Sequence, residues 1–170
     1  RFLKKTRTTH IAQGISIAHQ EVFIDEGFEF EKDPVIGLRA AAIAAQAGLP
    51  VSPTTLQSLA QASKSGISKL PNPWPRSARE NLITLIGAGA PMVRIWEGLD
   101  QEEILFHWLP EWRSVRSLPQ RNVLHRHTVD RHMVETAVFA AALTRSVDRP
   151  DLLLFAALFH DLGKGTQEDH

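Results

Sequence analysis

The sequence predicts a mainly α-helical protein with one small β-hairpin near its amino terminus. Helix start signals recur along the chain, because Asp33-Pro34 and Ser52-Pro53 each place an N-capping residue before a proline ahead of an apolar segment. The segment 35–47 is rich in alanine and is followed by Gly48, a typical helix stop. Strand-like alternation is confined to 14–30, so sheet is expected only there.

Composition limits the classes of function. The chain has 170 residues, of which 43% are apolar and 22% are charged, as in an ordinary globular protein. Its 19 basic and 19 acidic side chains cancel, so neither nucleic acid nor a membrane surface is expected as a partner. Cysteine is absent, which excludes disulfides and thiolate metal sites and favours the cytoplasm. No apolar segment reaches the roughly 20 residues that cross a bilayer.

The elements follow in order from these signals. The hairpin is expected around Ile15 and Ile24, with its turn at 18–21. Helices are expected at about 35–47, 53–63, 76–86, 91–99, 101–109, 128–145 and 150–159. Pro110 to Asn122 is predicted to be a loop that separates two helical units. The last helix is apolar nearly all round, so we expect it to be central and buried.

Three side chains in the second unit could form a metal site. His132 lies in the first turns of one helix, on its apolar side, and His160 and Asp161 end the next helix. A short link makes the two helices antiparallel, so His132 and His160 can meet. A carboxylate beside a buried surface is costly unless it is paired or bound to metal. Imidazole and carboxylate together suit manganese, iron, zinc or magnesium.

Spacing alone leaves a structural interpretation open. A single histidine on an apolar helix face is usually a core residue with satisfied hydrogen bonds, and a His-Asp dipeptide often occurs by chance. The tryptophans at 74, 96, 108 and 112 are more simply explained as packing anchors than as a binding site. From residue types and spacing, a metal site and a structural role for the His-Asp pair both remain possible.

The strings themselves resemble a known family. The segment 124–132 reads LHRHTVDRH, 154–165 reads LFAALFHDLGKG, and Asp169-His170 follows. These match the HD phosphohydrolase superfamily and, within it, the PII uridylyltransferase/uridylyl-removing enzymes. Upstream, Leu109-Pro-Glu-Trp112 and Asp33-Pro34 resemble the helical linker between the nucleotidyltransferase and HD domains of that family. The resemblance is strong from Leu109 onward, is loose over the first thirty residues, and has an actinobacterial character.

The resemblance assigns roles by position. His132, His160, Asp161 and His170 match metal-binding positions, and His160, Asp161 and Lys164 match the catalytic ones, with Lys164 near the phosphate. Asp130 and His125 also match the motif, with less defined roles. His127 stands where the family usually has an aromatic residue, and we expect its ring to pack under the first helix of the unit.

The resemblance also implies an organisation. Residues 1–112 would be the carboxy-terminal part of the helical linker, and 113–170 the amino-terminal part of a truncated HD domain. A later aspartate that closes the metal sphere, the nucleotidyltransferase motif and the regulatory ACT domains would lie outside this chain. The segment alone would therefore be inactive, poorly stable and prone to associate through uncovered helix faces.

The implied activity belongs to a larger cytoplasmic enzyme. It would transfer UMP from UTP, or AMP from ATP, to the PII nitrogen-signalling protein. It would remove the nucleotide again at an HD site that uses a divalent metal, Mg or Mn, with glutamine favouring removal. Two alternatives remain: another HD phosphohydrolase that acts on nucleotides, and a non-catalytic helical interaction module.

Overall fold

A small sheet precedes a set of helices in the computed structural model, which describes residues 8–120 and 127–166. The strands are β1 (Thr9–Ala12), β2 (Ile15–Ala18) and β3 (Glu21–Ile24). The helices are α1 (Ile36–Ala47), α2 (Pro53–Ser65), α3 (Arg76–Gly87), α4 (Ala90–Gln101), α5 (Ile104–Trp108), α6 (Trp112–Val115), α7 (Val129–Ala142) and α8 (Pro150–Phe159). Short 3₁₀ turns, Thr144–Ser146 and Leu162–Gly165, follow α7 and α8. The predicted mainly helical class is confirmed.

The predicted hairpin is part of a three-stranded sheet. The strands β2 and β3 pair in antiparallel register around a turn in which His19 and Gln20 both have positive φ, 52° and 62°. The strand β1 adds to the outer edge of β2, giving the order β1-β2-β3. The side chains of β1 are mostly exposed, so its sequence lacks the alternation of apolar and polar residues that would have predicted a strand.

Helix boundaries mostly follow the predicted signals. The Ser52 side chain accepts a hydrogen bond from the Thr55 N–H and caps α2, and Gly48 ends α1 with a left-handed φ of 65°. The start of α1 differs, because its N-cap is Val35 and not Asp33. The Asp33 carboxylate instead accepts from the Val35 N–H and from the Arg39 guanidinium, which closes a turn ahead of the helix.

The predicted loop from Pro110 to Asn122 contains the short helix α6. Trp112 and Val115, one turn apart, are both buried. The Trp112 ring packs edge-on against Trp96 of α4, with 5.1 Å between ring centroids. A buried tryptophan and valine on one helical face explain why this segment folds against the core despite its flanking prolines and charges.

The helix α8 is only half covered, contrary to the prediction that it would be buried all round. Its buried residues are Leu154, Ala157 and Leu158, whereas the Leu152 side chain is 54% exposed. On the neighbouring α7, Phe139 is 75% exposed, and Leu143, directly after that helix, is 54% exposed. Among the described residues, α3 and α7 are the main helices that pack on α8, and they cover one side of it.

One hydrophobic core continues across the predicted boundary at residue 112. It includes Ile95 and Trp96 of α4, Trp112 of α6 and Met133 of α7. The helix α7 packs against α3, α4 and α6, so the second helical unit rests on the first. Whether the units are separate domains, 1–112 and 113–170, stays a prediction. No helix within residues 8–120 and 127–166 has the length and hydropathy needed to cross a membrane.

Candidate metal centre

The side chains of His132, His160 and Asp161 converge where the end of α8 returns to the start of α7. The two histidine Nε2 atoms are 3.3 Å apart. The Asp161 Oδ2 atom lies 3.4 Å from the His160 Nε2 and 3.9 Å from the His132 Nε2. Candidate ligand atoms of the three residues all lie within 4.8 Å of one another. The short link between the two helices thus brings together the residues that the sequence singled out.

The orientation of His160 is set by the backbone. Its Nδ1 atom lies 2.9 Å from the carbonyl oxygen of Ala157, one turn back in α8. A carbonyl can only accept a hydrogen bond, so Nδ1 carries a proton, and in the neutral form of the ring Nε2 presents its lone pair to the cluster. Histidine ligands in metalloproteins are commonly oriented in this way, by a hydrogen bond from the ring nitrogen that does not bind the metal.

The carboxylate of Asp161 is well covered and charge-paired. Its side chain is 14% exposed, and its Oδ2 accepts a hydrogen bond from the Lys164 ammonium at 2.6 Å. Burial alone would raise the pKa of Asp161. The hydrogen bond from Lys164 and the nearby positive charges of His160, Lys164 and His132 outweigh it, so this pKa lies below its ordinary value of 3.8. The carboxylate is therefore ionised at neutral pH.

The three residues fit a divalent cation. Bonds of about 2.0–2.2 Å from one ion to nitrogen and oxygen ligands place those ligand atoms about 3 to 3.5 Å apart. The spacings of His160 Nε2 from His132 Nε2 and from Asp161 Oδ2, 3.3 and 3.4 Å, lie in this range. The remaining spacing, 3.9 Å, needs only a small side-chain shift. Two imidazoles and one ionised carboxylate form a donor set common to several divalent metals.

Of the remaining matched positions, the two that the structure describes besides Lys164, namely His127 and Asp130, lie away from the cluster. His170 and His125, assigned by resemblance, lie outside the described residues. The expected packing of His127 under α7 is wrong, because its side chain is 46% exposed and its Nε2 lies 3.2 Å from the carboxylate of Glu135. Asp130 lines a separate cavity between α4 and α7, and its Oδ1 finds no hydrogen-bond partner in the described part of the chain.

Sequence reasoning missed Gln120. Its Oε1 atom lies 3.4 Å from the Lys164 ammonium, which connects the segment before α7 to the turn after α8. Glutamine in a predicted loop carries no periodic signal. Its neighbour Leu118 accepts the N–H of Val129 at 2.9 Å, which holds this stretch against the start of α7. A tertiary contact of this kind, and no local pattern, places Gln120 at the site.

The pKa of Asp161 gives a first prediction. We expect the carboxyl carbon of Asp161 in the metal-free protein to titrate below the ordinary midpoint of 3.8, and the Lys164→Met variant to titrate higher than wild type. A lowered folded-state pKa stabilises the fold above the unfolded-state pKa, and this stabilisation is lost as pH falls through the folded value. Carbon-13 NMR of the carboxyl groups measures both midpoints, and equal midpoints in the two proteins would contradict the assigned cause.

Comparison with known proteins adds a family match. The model of the HD domain family matches residues 129–170. Several relatives bear the name bifunctional uridylyltransferase/uridylyl-removing enzyme. The protein of Streptomyces coelicolor is 50% identical over 94% of this chain and 19% of its own length. The protein of Mycobacterium tuberculosis is 41% identical over 99% of this chain and 20% of its own length. The protein of Corynebacterium glutamicum is 35% identical over 81% of this chain and 19% of its own length. No solved structure is significantly similar.

This chain is related to the bifunctional uridylyltransferase/uridylyl-removing enzymes. The expected family and its actinobacterial character are confirmed by these relatives. The chain spans about a fifth of the length of the curated relatives it matches. Its match to the HD family covers α7, α8 and the converging residues His132, His160 and Asp161. HD domains are metal-dependent phosphohydrolases, in keeping with a donor set that could hold a metal ion.

Proposed function

We propose that this chain is part of an enzyme that transfers a nucleotide to the PII signalling protein and removes it at the cluster of His132, His160 and Asp161. The observation that carries the proposal is the convergence of these three donors within 4.8 Å in a segment that matches the HD family. The name that these relatives bear, bifunctional uridylyltransferase/uridylyl-removing enzyme, supplies the two reactions. The organisation into 1–112 as linker and 113–170 as HD segment is part of the same proposal.

The ion would be held by His132, His160 and Asp161, and we propose Mg or Mn, with His170 as a further ligand. Such an ion, when bound, lowers the pKa of water and stabilises negative charge on a phosphate oxygen. The chain's own contribution is to hold the donors in place. The Ala157 carbonyl fixes the proton of His160 on Nδ1, and α7 carries His132 to within 3.3 Å of that ring.

Lys164 would contribute a positive charge for the substrate. Its ammonium lies beside the cluster and its side chain is 35% exposed, so it can reach a phosphate oxygen that enters from solvent. Hydrolysis of the phosphodiester breaks the bond between phosphorus and the oxygen of the modified PII side chain, and water supplies the new oxygen. His160, Asp161 and Lys164 are therefore our proposed catalytic residues. UTP or ATP as nucleotide donor and glutamine as effector belong to the rest of the enzyme.

Removal of the nucleotide from modified PII tests the proposal. The protein, with the sequence that flanks this segment in its gene, would be incubated with nucleotidylated PII, Mn²⁺ and glutamine. We expect His160→Ala to reduce release of the nucleotide by at least about hundredfold, since loss of an outer-shell partner alone costs 10- to 100-fold at metal sites. Transfer to unmodified PII should continue. His107→Ala, which alters an exposed histidine of α5, serves as the matched control.

Each alternative predicts a different result. If His160→Ala and Asp161→Ala both release the nucleotide at the wild-type rate, the cluster is structural and the segment is a helical interaction module. If neither wild type nor variants act on modified PII but wild type hydrolyses free nucleotides, the protein is another HD phosphohydrolase. The match over 94% of the chain, well beyond residues 129–170, favours the first proposal.

A further inference from the structure

The ammonium of Lys164 is bonded to the same Asp161 oxygen atom that lies nearest to the two histidines. It lies 2.6 Å from Asp161 Oδ2, the same oxygen that faces the His160 Nε2 at 3.4 Å and the His132 Nε2 at 3.9 Å. A carboxylate oxygen that donates electron density to a divalent ion cannot at the same time keep a lysine ammonium at this distance without strong repulsion between the two cations. Lysine and metal therefore compete for one atom.

We propose that Lys164 is a built-in competitor of the metal, and that Gln120 is the acceptor to which its ammonium moves when a metal binds. This inference rests on the proposed metal site and extends it to a residue outside the segment that matches the HD family. It makes Gln120 a positioning residue, since it acts through Lys164 and contacts no ligand atom of the cluster among the described residues.

The side chain of Gln120 is placed to receive the ammonium. Its Oε1 lies 3.4 Å from the Lys164 Nζ, at the long limit of a hydrogen bond, so a small movement of the lysine away from Asp161 shortens this contact. The Gln120 Nε2 is buried and finds no partner among residues 8–120 and 127–166. Within the described part of the chain, the Gln120 oxygen has no hydrogen-bond donor other than Lys164.

The backbone around Lys164 is held, so the exchange requires only the lysine side chain to move. The turn is closed by hydrogen bonds from the Lys164 N–H to the Asp161 carbonyl, 3.0 Å, and from the Thr166 N–H to the Gly163 carbonyl, 3.1 Å. Gly165 lies so close to Ser114 of α6 that a β-carbon at this glycine would collide with the serine. A long, flexible side chain on a fixed turn can change partners through its rotamers alone.

The arrangement couples metal occupancy to the segment before α7. Without metal, the Lys164 ammonium pairs with the Asp161 carboxylate. With metal, the ammonium moves to the side-chain amide of Gln120, in a segment held by the hydrogen bond from the Val129 N–H to the Leu118 carbonyl. By linkage, the factor by which the Lys164–Gln120 contact favours the metal equals the factor by which the metal favours that contact, so a change that removes the contact must weaken metal binding.

Calorimetric titration of the protein with Mn²⁺ tests this coupling without measuring activity. Lys164→Met should tighten Mn²⁺ binding about tenfold, because it removes the competitor, and Lys164→Gln should act in the same direction. Gln120→Leu should weaken binding about threefold in the wild-type background and have no effect in the Lys164→Met background, as a double-mutant cycle requires. Lys69→Met, at an exposed lysine in the loop after α2, controls for the loss of one charge.

The outcomes separate this inference from the proposed function. If His160→Ala abolishes Mn²⁺ binding but neither Lys164 variant binds more tightly than wild type, the metal site stands and the competition is wrong. A Gln120→Leu effect that persists in Lys164→Met protein would mean that Gln120 acts on the fold and not through the lysine. If wild type itself fails to bind Mn²⁺, the proposed function and the inference fall together.

Discussion

Changing Asp161 to asparagine is expected to weaken Mn²⁺ binding at least about hundredfold, because it removes the only carboxylate of the three converging donors. Asparagine preserves the size of the side chain but cannot supply a negative charge to the ion. It also leaves the Lys164 ammonium, 2.6 Å away in the wild type, without its counter-ion beside the two imidazoles. The cluster thereby changes from a site that attracts cations to one that repels them.

A matched substitution at the opposite end of α8 isolates the effect. Asp151→Asn removes an aspartate near the start of α8 whose partner is the exposed Arg149. It changes net charge by the same amount and should leave the Mn²⁺ affinity within about twofold, because an exposed ion pair contributes little. Calorimetric titration measures both variants. Equal affinities for Asp161→Asn and wild type would show that the carboxylate does not bind the metal.

Replacing Trp112 with alanine is expected to lower the free energy of unfolding by about 3–5 kcal/mol, the usual cost of truncating a large buried aromatic side chain. The residue is 1% exposed and packs edge-on against Trp96. It lies in α6, between α4 of the first helical unit and α7 of the second, so its loss opens a void where the two units meet. For a segment of this size, that cost is a large part of the total stability.

Urea denaturation followed by circular dichroism measures this loss. Trp74→Ala provides the control, since Trp74 is only partly buried in the loop before α3. This variant should lose distinctly less free energy of unfolding than Trp112→Ala. The loss in free energy of unfolding for Trp112→Phe should lie between those of the two alanine variants, because phenylalanine keeps an aromatic ring but has a smaller volume. If Trp112→Ala and Trp74→Ala destabilise the protein equally, α6 does not have the packing role assigned to it.

Local signals predicted much of the fold. The serine cap at Ser52 and the glycine stop at Gly48 appear as expected, because capping depends on atoms only a few residues apart. The strand β1 was missed because its side chains are mostly exposed and show no buried alternation. The short helix α6 was missed because it is stabilised mainly by rings and helices of the core that are distant in sequence. Apolar composition overestimated the burial of α8, since composition does not specify which neighbours cover each side.

The convergence of His132 with His160 and Asp161 followed from helix geometry, because two helices joined by a short link must return alongside each other. The hydrogen bond from the His160 ring to Ala157 and the approach of Gln120 to Lys164 could not be predicted in this way. The first depends on a ring rotation, and the second depends on a contact between residues 44 positions apart in the chain. Both need atomic coordinates.

The close approach of Gly165 to Ser114 has a practical consequence for chimeric enzymes. The turn that follows Asp161 rests directly on α6, and α6 in turn rests on α4 through Trp112 and Trp96. A graft that joined a foreign amino-terminal half at residue 128 would deprive that turn of its support. Exchange of the segment that contains α7 and α8 between relatives should therefore carry α3, α4 and α6 along with it, because all three pack against α7.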